Sequence, residues 1–500
     1  MILDLKNLPK DTALLHQIIA DLVGDNNSLK SQLALLKAKR FGKSSEKLDK
    51  QIDELERRIE EHEIAAKPSP EADSAEKNKP KRKPLPEHLP RENVTINPDP
   101  ICGECGGEDF RKISDDISET LEYNPSSFKV IRKIRPRCAC VNCENIMQAE
   151  MPSAPIAKGK AEPGLLAHIL IQKYANHLPL YRQSKIYERE GLELSRSTMA
   201  GWVGQCSRLL EPLIDALKAD IFASDQIHGD DTPIRVLAPG LGKTKTGRIW
   251  AYVRDGRPCA DETPPAVCYF YSPDRKAIRP EEHLKNFAGK LHADAYSGYN
   301  KLYKNDENPD ATAVEAACWA HTRRKFYEVT VAITNAGIAS DALDKIGKLY
   351  EIEKKIRGKK SEKRLAERQK YSVEIVDEFF EWLKKCRAKL PKKSQTTKAI
   401  NYALNLENAL RRFLDDGKIE IDNNAAERAM RPIAIGRKNW MFAGSDNGGE
   451  SAAAIFSLIE TAKLNGINPQ KYLTAVLAKI QDHNSQNLHQ LLPYNLKLEV

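Results

Sequence analysis

The chain of 500 residues has room for about three domains. With 41% hydrophobic and 30% charged residues it can bury a sizeable core, which excludes a wholly disordered chain, and its longest apolar runs fall well short of the ~20 residues of a membrane span. Lys plus Arg (79) exceed Asp plus Glu (70), a net charge of +9 that suits a nucleic-acid partner but is shared by many soluble enzymes.

The chain opens on a heptad pattern. Leu15, Leu22, Leu29 and Leu36 recur every seventh residue, with Ile19, Asn26 and Leu33 at the other seam position. This spacing predicts a short coiled coil within 1–66, and Asn26 at an a position favours a dimer in fixed register. A second amphipathic run, Leu48, Ile52, Leu55 and Ile59, follows a break at Phe41–Ser45, so a helical hairpin closing on its own chain is the simpler alternative. Met1–Lys10 carries Asp4 and lacks a basic stretch followed by a long apolar one, so no secretory signal is expected. Residues 67–100 are dense in Pro, Lys, Glu and Asn, with the basic run Lys79–Lys83, and read as a solvated linker.

Five of the ten cysteines lie between Cys102 and Cys143. Cys102-Gly103-Glu104-Cys105 and Cys140-Val141-Asn142-Cys143 are two C-x2-C knuckles, whose spacer lets both thiolates of one turn reach the same tetrahedral ion. Two such turns complete a four-sulfur shell for a structural Zn2+, closed to substrate, in a module over 101–150. Cys138 in place of Cys140 would need the less usual C-x4-C loop.

Residues 155–222 read as helical. Pro163-Gly164 opens an apolar helix to Ala175, a second helix follows Pro179 to about Glu190, and Ser195–Thr198 caps a third carrying Trp202 and Val203. The pair around Gly191 has helix-turn-helix character, a pattern also common in helical domains that never touch DNA. From 223 to 330 the periodicity becomes that of strands: Ile227–Leu237, Arg248–Arg254, Val267–Ser272, Leu291–Ala295 and Ala313–Cys318, with a helix near Glu281–Ala288. This predicts a mixed α/β sheet. A charged all-α block over 331–415, a helix-rich piece over 416–482 and a tail over 483–500 complete the chain.

Acidic residues carry the chemistry. Asp230 closes the first strand in Ile227-His228-Gly229-Asp230-Asp231-Thr232-Pro233, and Asp294 closes another in Leu291-His292-Ala293-Asp294. Glu427 lies in the first turns of a helix, in Asp422-Asn423-Asn424-Ala425-Ala426-Glu427-Arg428. Three convergent carboxylates suit two Mg2+ ions, which take oxygen ligands and share them with phosphates during in-line phosphoryl transfer. Arg428, Arg431, Arg437 and Lys438 beside Glu427 would hold a phosphodiester. The plain alternatives are a turn at Asp230 or Asp231, a capping box from Asn424 to Glu427, and a solvated basic face.

Other strings stand in a definite order. Arg40–Lys47 follows the heptads, and the cysteine knuckles precede His177-Leu178-Pro179-Leu180-Tyr181-Arg182-Gln183 and Leu194–Thr198. Asp294–Tyr299, Cys318-Trp319-Ala320-His321-Thr322-Arg323-Arg324-Lys325-Phe326, Asp422–Arg428, Gly436–Trp440 and Leu491–Asn495 follow. Together they resemble the transposases of the insertion-sequence-66 group of bacterial mobile elements. The resemblance implies a multidomain α/β protein: a ribonuclease H-like Asp-Asp-Glu core with an all-α insertion, an N-terminal coiled coil, a zinc-binding module and a helical DNA-binding region. About 130 residues separate Asp294 from Glu427, far more than an ordinary loop.

On matching motifs, Asp230, Asp294 and Glu427 inherit the roles of catalytic ligands to two Mg2+ (or Mn2+), and His321, Arg323 and Arg324 line the DNA path. One departure stands out. The family shows Asp-Glu-Thr-Pro where this chain has Asp231 in place of the Glu, which leaves Asp231 as the fallback to Asp230. The literal string Asp261-Glu262-Thr263-Pro264 comes later, outside the strand. The expected function is cleavage at the terminal inverted repeats of an element and 3′-hydroxyl transfer into target DNA, by a cytoplasmic, nucleoid-associated homodimer or higher oligomer. Small accessory proteins of the same element would assist. The rivals are a non-catalytic DNA-binding regulator, a domesticated transposase, and a structure-selective nuclease of the same fold.

Overall fold

The computed structural model describes residues 85–498 except 86, 88, 102–104, 106, 125–126, 158, 239–242, 307, 333–336 and 393. The heptad helix with Asn26, the second amphipathic run, Lys79–Lys83 and Cys102 lie outside the described residues.

Four strands come first: β1 (Arg91–Thr95), β2 (Phe110–Asn124), β3 (Ser127–Cys140) and β4 (Ile146–Gln148). β2 and β3 form a long antiparallel hairpin, β1 pairs parallel to β3, and β4 pairs antiparallel to it. β1 is a departure from expectation, because Arg91–Thr95 had been read as linker. Its pattern is polar, and it becomes a strand only by pairing with Val130–Ile134. The hairpin is anchored at its closed end, where Leu121, Phe128 and Val130 are buried. There Phe128 meets Tyr187 edge-on at 5.3 Å and Tyr123 stacks on His168 at 3.6 Å.

Three helices follow: α1 (Pro163–Tyr174), α2 (Leu180–Arg189) and α3 (Arg196–Phe222). Pro163 starts α1, and Ser195 caps α3 by accepting a hydrogen bond from the Thr198 N–H at 3.1 Å. Gly191, at φ 78°, makes the turn between α2 and α3. The α2–turn–α3 arrangement is as expected, but α3 runs for 27 residues and buries Met199, Trp202, Cys206, Leu210, Leu213, Leu217 and Ile221. Its first turn, Arg196–Thr198, stays exposed while the rest of one face is buried.

The central sheet contains β5 (Gln226–Ala238), β6 (Lys243–Arg254), β7 (Ala266–Ser272), β8 (Gly289–Ala293) and β9 (Ala313–Ala317), in the order β7-β6-β5-β8-β9. β5, β6 and β7 are antiparallel neighbours, whereas β8 is parallel to β5 and β9 parallel to β8. All five strands fall where the alternation predicted. β6 begins earlier, because Lys243–Gly247 pair with Ile234–Ala238 although their side chains carry no apolar signal. The helix between β7 and β8, α4 (Ile278–His283), starts and ends earlier than expected, and Leu284 and Phe287 turn inward to bury beside the sheet.

A second hydrophobic core holds the helical insertion: α5 (Trp319–Ala332), α6 (Gly337–Ile356), α7 (Ser361–Lys389), α8 (Gln395–Asn405) and α9 (Glu407–Arg411). Trp319, Phe326, Phe379, Phe380, Ile400 and Phe413 lie at its centre. α5, which begins at Trp319 just after β9, packs into this second core together with Ala316 and Ala317 of β9. The chain returns to the sheet with α10 (Asn424–Trp440), α11 (Asp446–Leu464) and α12 (Pro469–Lys479). α11 covers the free edge of β7: Ser457 accepts from Tyr269 N–H at 2.8 Å, and Thr461 bonds both backbone groups of Val267. An edge strand covered in this way cannot recruit another strand. The expected tail is also anchored, with Leu491 and Leu492 buried and the Tyr494 hydroxyl donating to Asp220 at 2.5 Å.

Candidate active site

β5 presents successive side chains to opposite faces, and this alternation separates two adjacent aspartates. Asp231 has 2% of its side chain exposed, with Arg275 Nη2 at 2.7 Å and Arg248 Nη1 at 3.0 Å from its two oxygens. It is a neutralised structural ion pair, which disfavours it as a fallback. Asp230 faces the other way and, among the described residues, has only the Asp231 N–H as a hydrogen-bond donor, at 2.8 Å. Burial, followed by the charges of Asp294, Asp231 and Glu427, pushes its carboxyl up to about 7 against that one hydrogen bond.

The parallel pairing of β5 with β8 ends at His228↔His292. Two residues further on stand Asp230, within β5, and Asp294, just past the end of β8, so the topology brings both to the same side of the β5–β8 pair. Asp294 accepts from the Tyr296 N–H at 3.2 Å and has Arg275 Nη2 at 3.8 Å.

Glu427 reaches this edge because α10 is fastened to β5 at both ends. At the start, Asn423 donates from Nδ2 to Gly229 O at 2.8 Å, and its Oδ1 lies 3.0 Å from His228 Nδ1. Past the other end, Ala443 N–H donates to Arg235 O at 2.8 Å and Leu237 N–H to Ala443 O at 2.9 Å. Arg437 also donates to Pro233 O at 2.5 Å. Glu427 makes no capping box: Asn423 is the N-cap and gives no side-chain cap bond, and the carboxylate turns towards α5. There His321 Nδ1 is 3.8 Å from Oε1 and Arg324 Nη2 is 3.9 Å from Oε2.

Beneath the acidic residues, His228 and His292 stack with centroids 5.1 Å apart. Burial keeps both below the usual histidine range, hence neutral at pH 7. The sequence reading missed Asn423, His228, His292 and Arg275. A signal was present for the histidines: each aspartate has one two residues before it, on the same strand face.

The remaining basic residues divide. Arg323, Arg324, Arg428, Arg431 and Lys438 are exposed, while Arg437 is half-buried and uses one guanidinium nitrogen to hold β5. Arg428 lies 3.8 Å from Asp255. Asp261 of the later Asp261-Glu262-Thr263-Pro264 string sits in the loop between β6 and β7, where it accepts from Thr263 N–H at 2.8 Å.

The metal knuckles meet at the open end of the β2–β3 hairpin. Ligand atoms of Cys105, Cys140 and Cys143 all lie within 4.8 Å of one another, and Cys105 Sγ is 3.5 Å from Cys140 Sγ. Two sulfurs on one tetrahedral zinc stand roughly 3.7 Å apart. The backbone N–H of Cys143 points at Cys140 and, ahead of weaker contributions, draws its thiol below the ordinary range. Among the described residues the group contains Cys140 and not Cys138; Cys102 lies outside them.

A sequence model described as transposase IS66 family matches residues 158–451, which takes in the whole sheet, the insertion and α10. The chain belongs to that family. An IS66 C-terminal element matches 457–494, a zinc-finger binding domain of transposase IS66 matches 99–144, and a model described as transposase C of IS166 homeodomain matches 28–94. The uncharacterized protein y4hP of Sinorhizobium fredii is 39% identical over 491 residues, covering 94% of this chain and 87% of the relative. The uncharacterized protein y4qI of the same organism is 39% identical over 435 residues, covering 85% and 80%. The IS66 zinc-finger match and the three gathered thiols together support a structural Zn2+. No described helix is long and apolar enough to cross a membrane.

Proposed function

We propose that this IS66-family protein is the DNA transposase of its element, acting through a ribonuclease H-like core in which Asp230, Asp294 and Glu427 are the catalytic acids. The central sheet supports the core reading: three antiparallel strands, then two parallel ones, ordered third-second-first-fourth-fifth, with the acids at one end. The observation that carries the proposal is Asp230, at one end of the sheet with Asp294, a carboxyl pushed up by burial and by the charges of Asp294, Asp231 and Glu427, while Asp231 itself takes both nearby arginines. An acidic group left in that state is suited to a divalent cation.

The donor set fits Mg2+ or Mn2+: the acids offer oxygen atoms, and Glu427 Oε1 is buried without a hydrogen-bond partner. Paired ions held there would sharpen a water or 3′-hydroxyl for in-line attack and neutralise the leaving oxygen. The chain's own residues do the rest. Asn423 and the Ala443 bridge hold the Glu427 helix against β5, and the neutral histidine pair gives the aspartates a firm, uncharged floor. Arg323, Arg324, Arg428, Arg431 and Lys438 supply exposed positive charge for the phosphodiester backbone, with Arg437 and His321 closer in. DNA partners would be the terminal inverted repeats and the target. A dimer or higher oligomer formed partly through the N-terminal helices, with accessory proteins of the element, would hold two ends together in the bacterial cytoplasm.

The test is a strand-transfer assay with pre-cut element ends and Mg2+ or Mn2+. Asp230→Ala, Asp294→Ala and Glu427→Ala should each abolish joining while end binding persists. Full joining by any one of them removes that residue from the site. Cleavage without joining by the wild-type protein would replace transposition with the nuclease reading.

A further inference from the structure

Next to the acidic edge lies a group of different chemistry. Cys318 ends the β9 connection, His321 follows in the first turn of α5, and Glu427 faces both from α10; ligand atoms of all three lie within 4.8 Å of one another. Cys318 immediately precedes α5 and accepts from Thr322 N–H through its carbonyl, which sets it beside His321 in the first turn. His321 Nδ1 and Glu427 Oε1 are both buried, both without a hydrogen-bond partner, and 3.8 Å apart. Two orphaned polar atoms facing one small space call for an occupant that satisfies both.

We propose that Cys318, His321 and Glu427 form a second transition-metal site, for Zn2+ or a similar ion, distinct from the cysteine knuckles. Thiolate, imidazole and carboxylate are zinc donors, whereas sulfur is a poor partner for Mg2+. Zinc bonds of roughly 2.0–2.1 Å to nitrogen and oxygen at tetrahedral angles put such donors about 3.3–3.4 Å apart, so His321 Nδ1 and Glu427 Oε1 at 3.8 Å need close by only about half an ångström. The group is already held in place: Asn423 N–H donates to Cys318 Sγ at 3.1 Å, and Trp319 N–H donates to Ile421 O at 3.0 Å. Three protein ligands leave a fourth position open. Arg324 Nη2, 3.9 Å from the other Glu427 oxygen, is the cation that competes with the ion. Because Glu427 belongs to both groups, an ion held here draws it away from Asp230 and Asp294. Binding of the ion itself does not depend on the catalytic reading.

The experiment is metal analysis of the full-length chain after loading with Zn2+ and desalting, with Co2+ absorption as a second readout. Wild type should hold two zinc ions per chain. His321→Ala and Cys318→Ser should each hold one, with zinc affinity at the lost site weakened at least tenfold, and Cys318→Ser should lose part of the cobalt–thiolate absorption while the knuckle signal remains. Asp230→Asn should still hold two. One zinc per wild-type chain overturns the proposal. So does a second zinc that survives both His321→Ala and Cys318→Ser, or one that is lost in Asp230→Asn, which would place it among the catalytic acids instead. The His321 variant guards against misfolding of the buried cysteine variant, since its side chain is only half-buried.

Discussion

The helical insertion and the acidic sheet edge both bury charge, and they treat it in opposite ways. In the insertion, Arg364 and Arg368 have side chains 1% and 0% exposed, and Arg364 reaches Glu420 at 2.5 Å while Arg368 reaches Glu353 at 2.7 Å. At the sheet edge burial and the charges of Asp294, Asp231 and Glu427 raise the Asp230 carboxyl, and among the described residues it has no ion-pair partner. The contrast recurs within one strand, where Asp231 is doubly paired and Asp230 is not. Buried charges that close among themselves fasten elements together, here the insertion to the segment leading into α10. A buried charge left open is available to something outside the chain.

The largest expected effect lies at the open charge. Asp230→Asn should lower strand joining by about a thousandfold or more, equivalent to roughly 4 kcal/mol of barrier. The fold should remain, because no described ion pair is lost. A joining assay beside a thermal melt checks both halves, and a variant that unfolds would make Asp230 a structural residue like Asp231. The closed network should respond in the opposite sense. Glu353→Ala leaves Arg368 buried without its main partner and should lower folding stability by about 3–5 kcal/mol, read by denaturant unfolding. A loss under 1 kcal/mol would show that the insertion's charges are not a fastening.

Acidity sharpens the comparison further. Asp230 titrates at about 7 in the folded chain against an ordinary 3.8, so between those values the folded state holds a proton that the unfolded state has released. Its contribution to stability is therefore full below about pH 4 and is lost as pH rises through 7. Without added divalent cation, wild-type melting should fall between pH 5 and 8 by the equivalent of roughly 1–3 kcal/mol, and Asp230→Asn should flatten that fall. A pH profile identical in both proteins would mean that the charge is not buried as described.

Which parts of the protein could be read in advance follows from how each is held. β5, β7, β8 and β9 were legible because their inward residues are apolar and their ends carry turn residues. The β2–β3 hairpin was not. Ile113, Ile117 and Leu121 recur every fourth residue, a helical spacing, and only pairing with β3 makes that segment a strand. Asp294 and Glu427 stand at element ends, as their motifs suggest, whereas Asp230 lies inside β5 and does not close it, because the strand continues in pairing with β6 to Ala238. Asn423 was not legible, because its partners His228 and Gly229 are nearly two hundred residues away along the chain.

That long-range contact supports the smallest and most specific prediction. Asn423 links three separate pieces of the site: its side chain joins His228 and Gly229 on β5, and its backbone N–H meets Cys318 before α5. Asn423→Ala removes two buried side-chain hydrogen bonds and leaves Gly229 O and His228 Nδ1 without them, a loss of about 1–3 kcal/mol in stability. Because Glu427 is one helical turn away, misplacement should reduce joining more than stability alone would, with end binding unchanged. Asn423→Asp restores an acceptor for His228 but no donor for Gly229 O, so it should recover only part of the activity and should raise the His228 pKa, visible by NMR. Full recovery by Asp would show that the histidine contact alone positions the helix. No recovery would assign that task to the backbone carbonyl of Gly229, the residue immediately before Asp230.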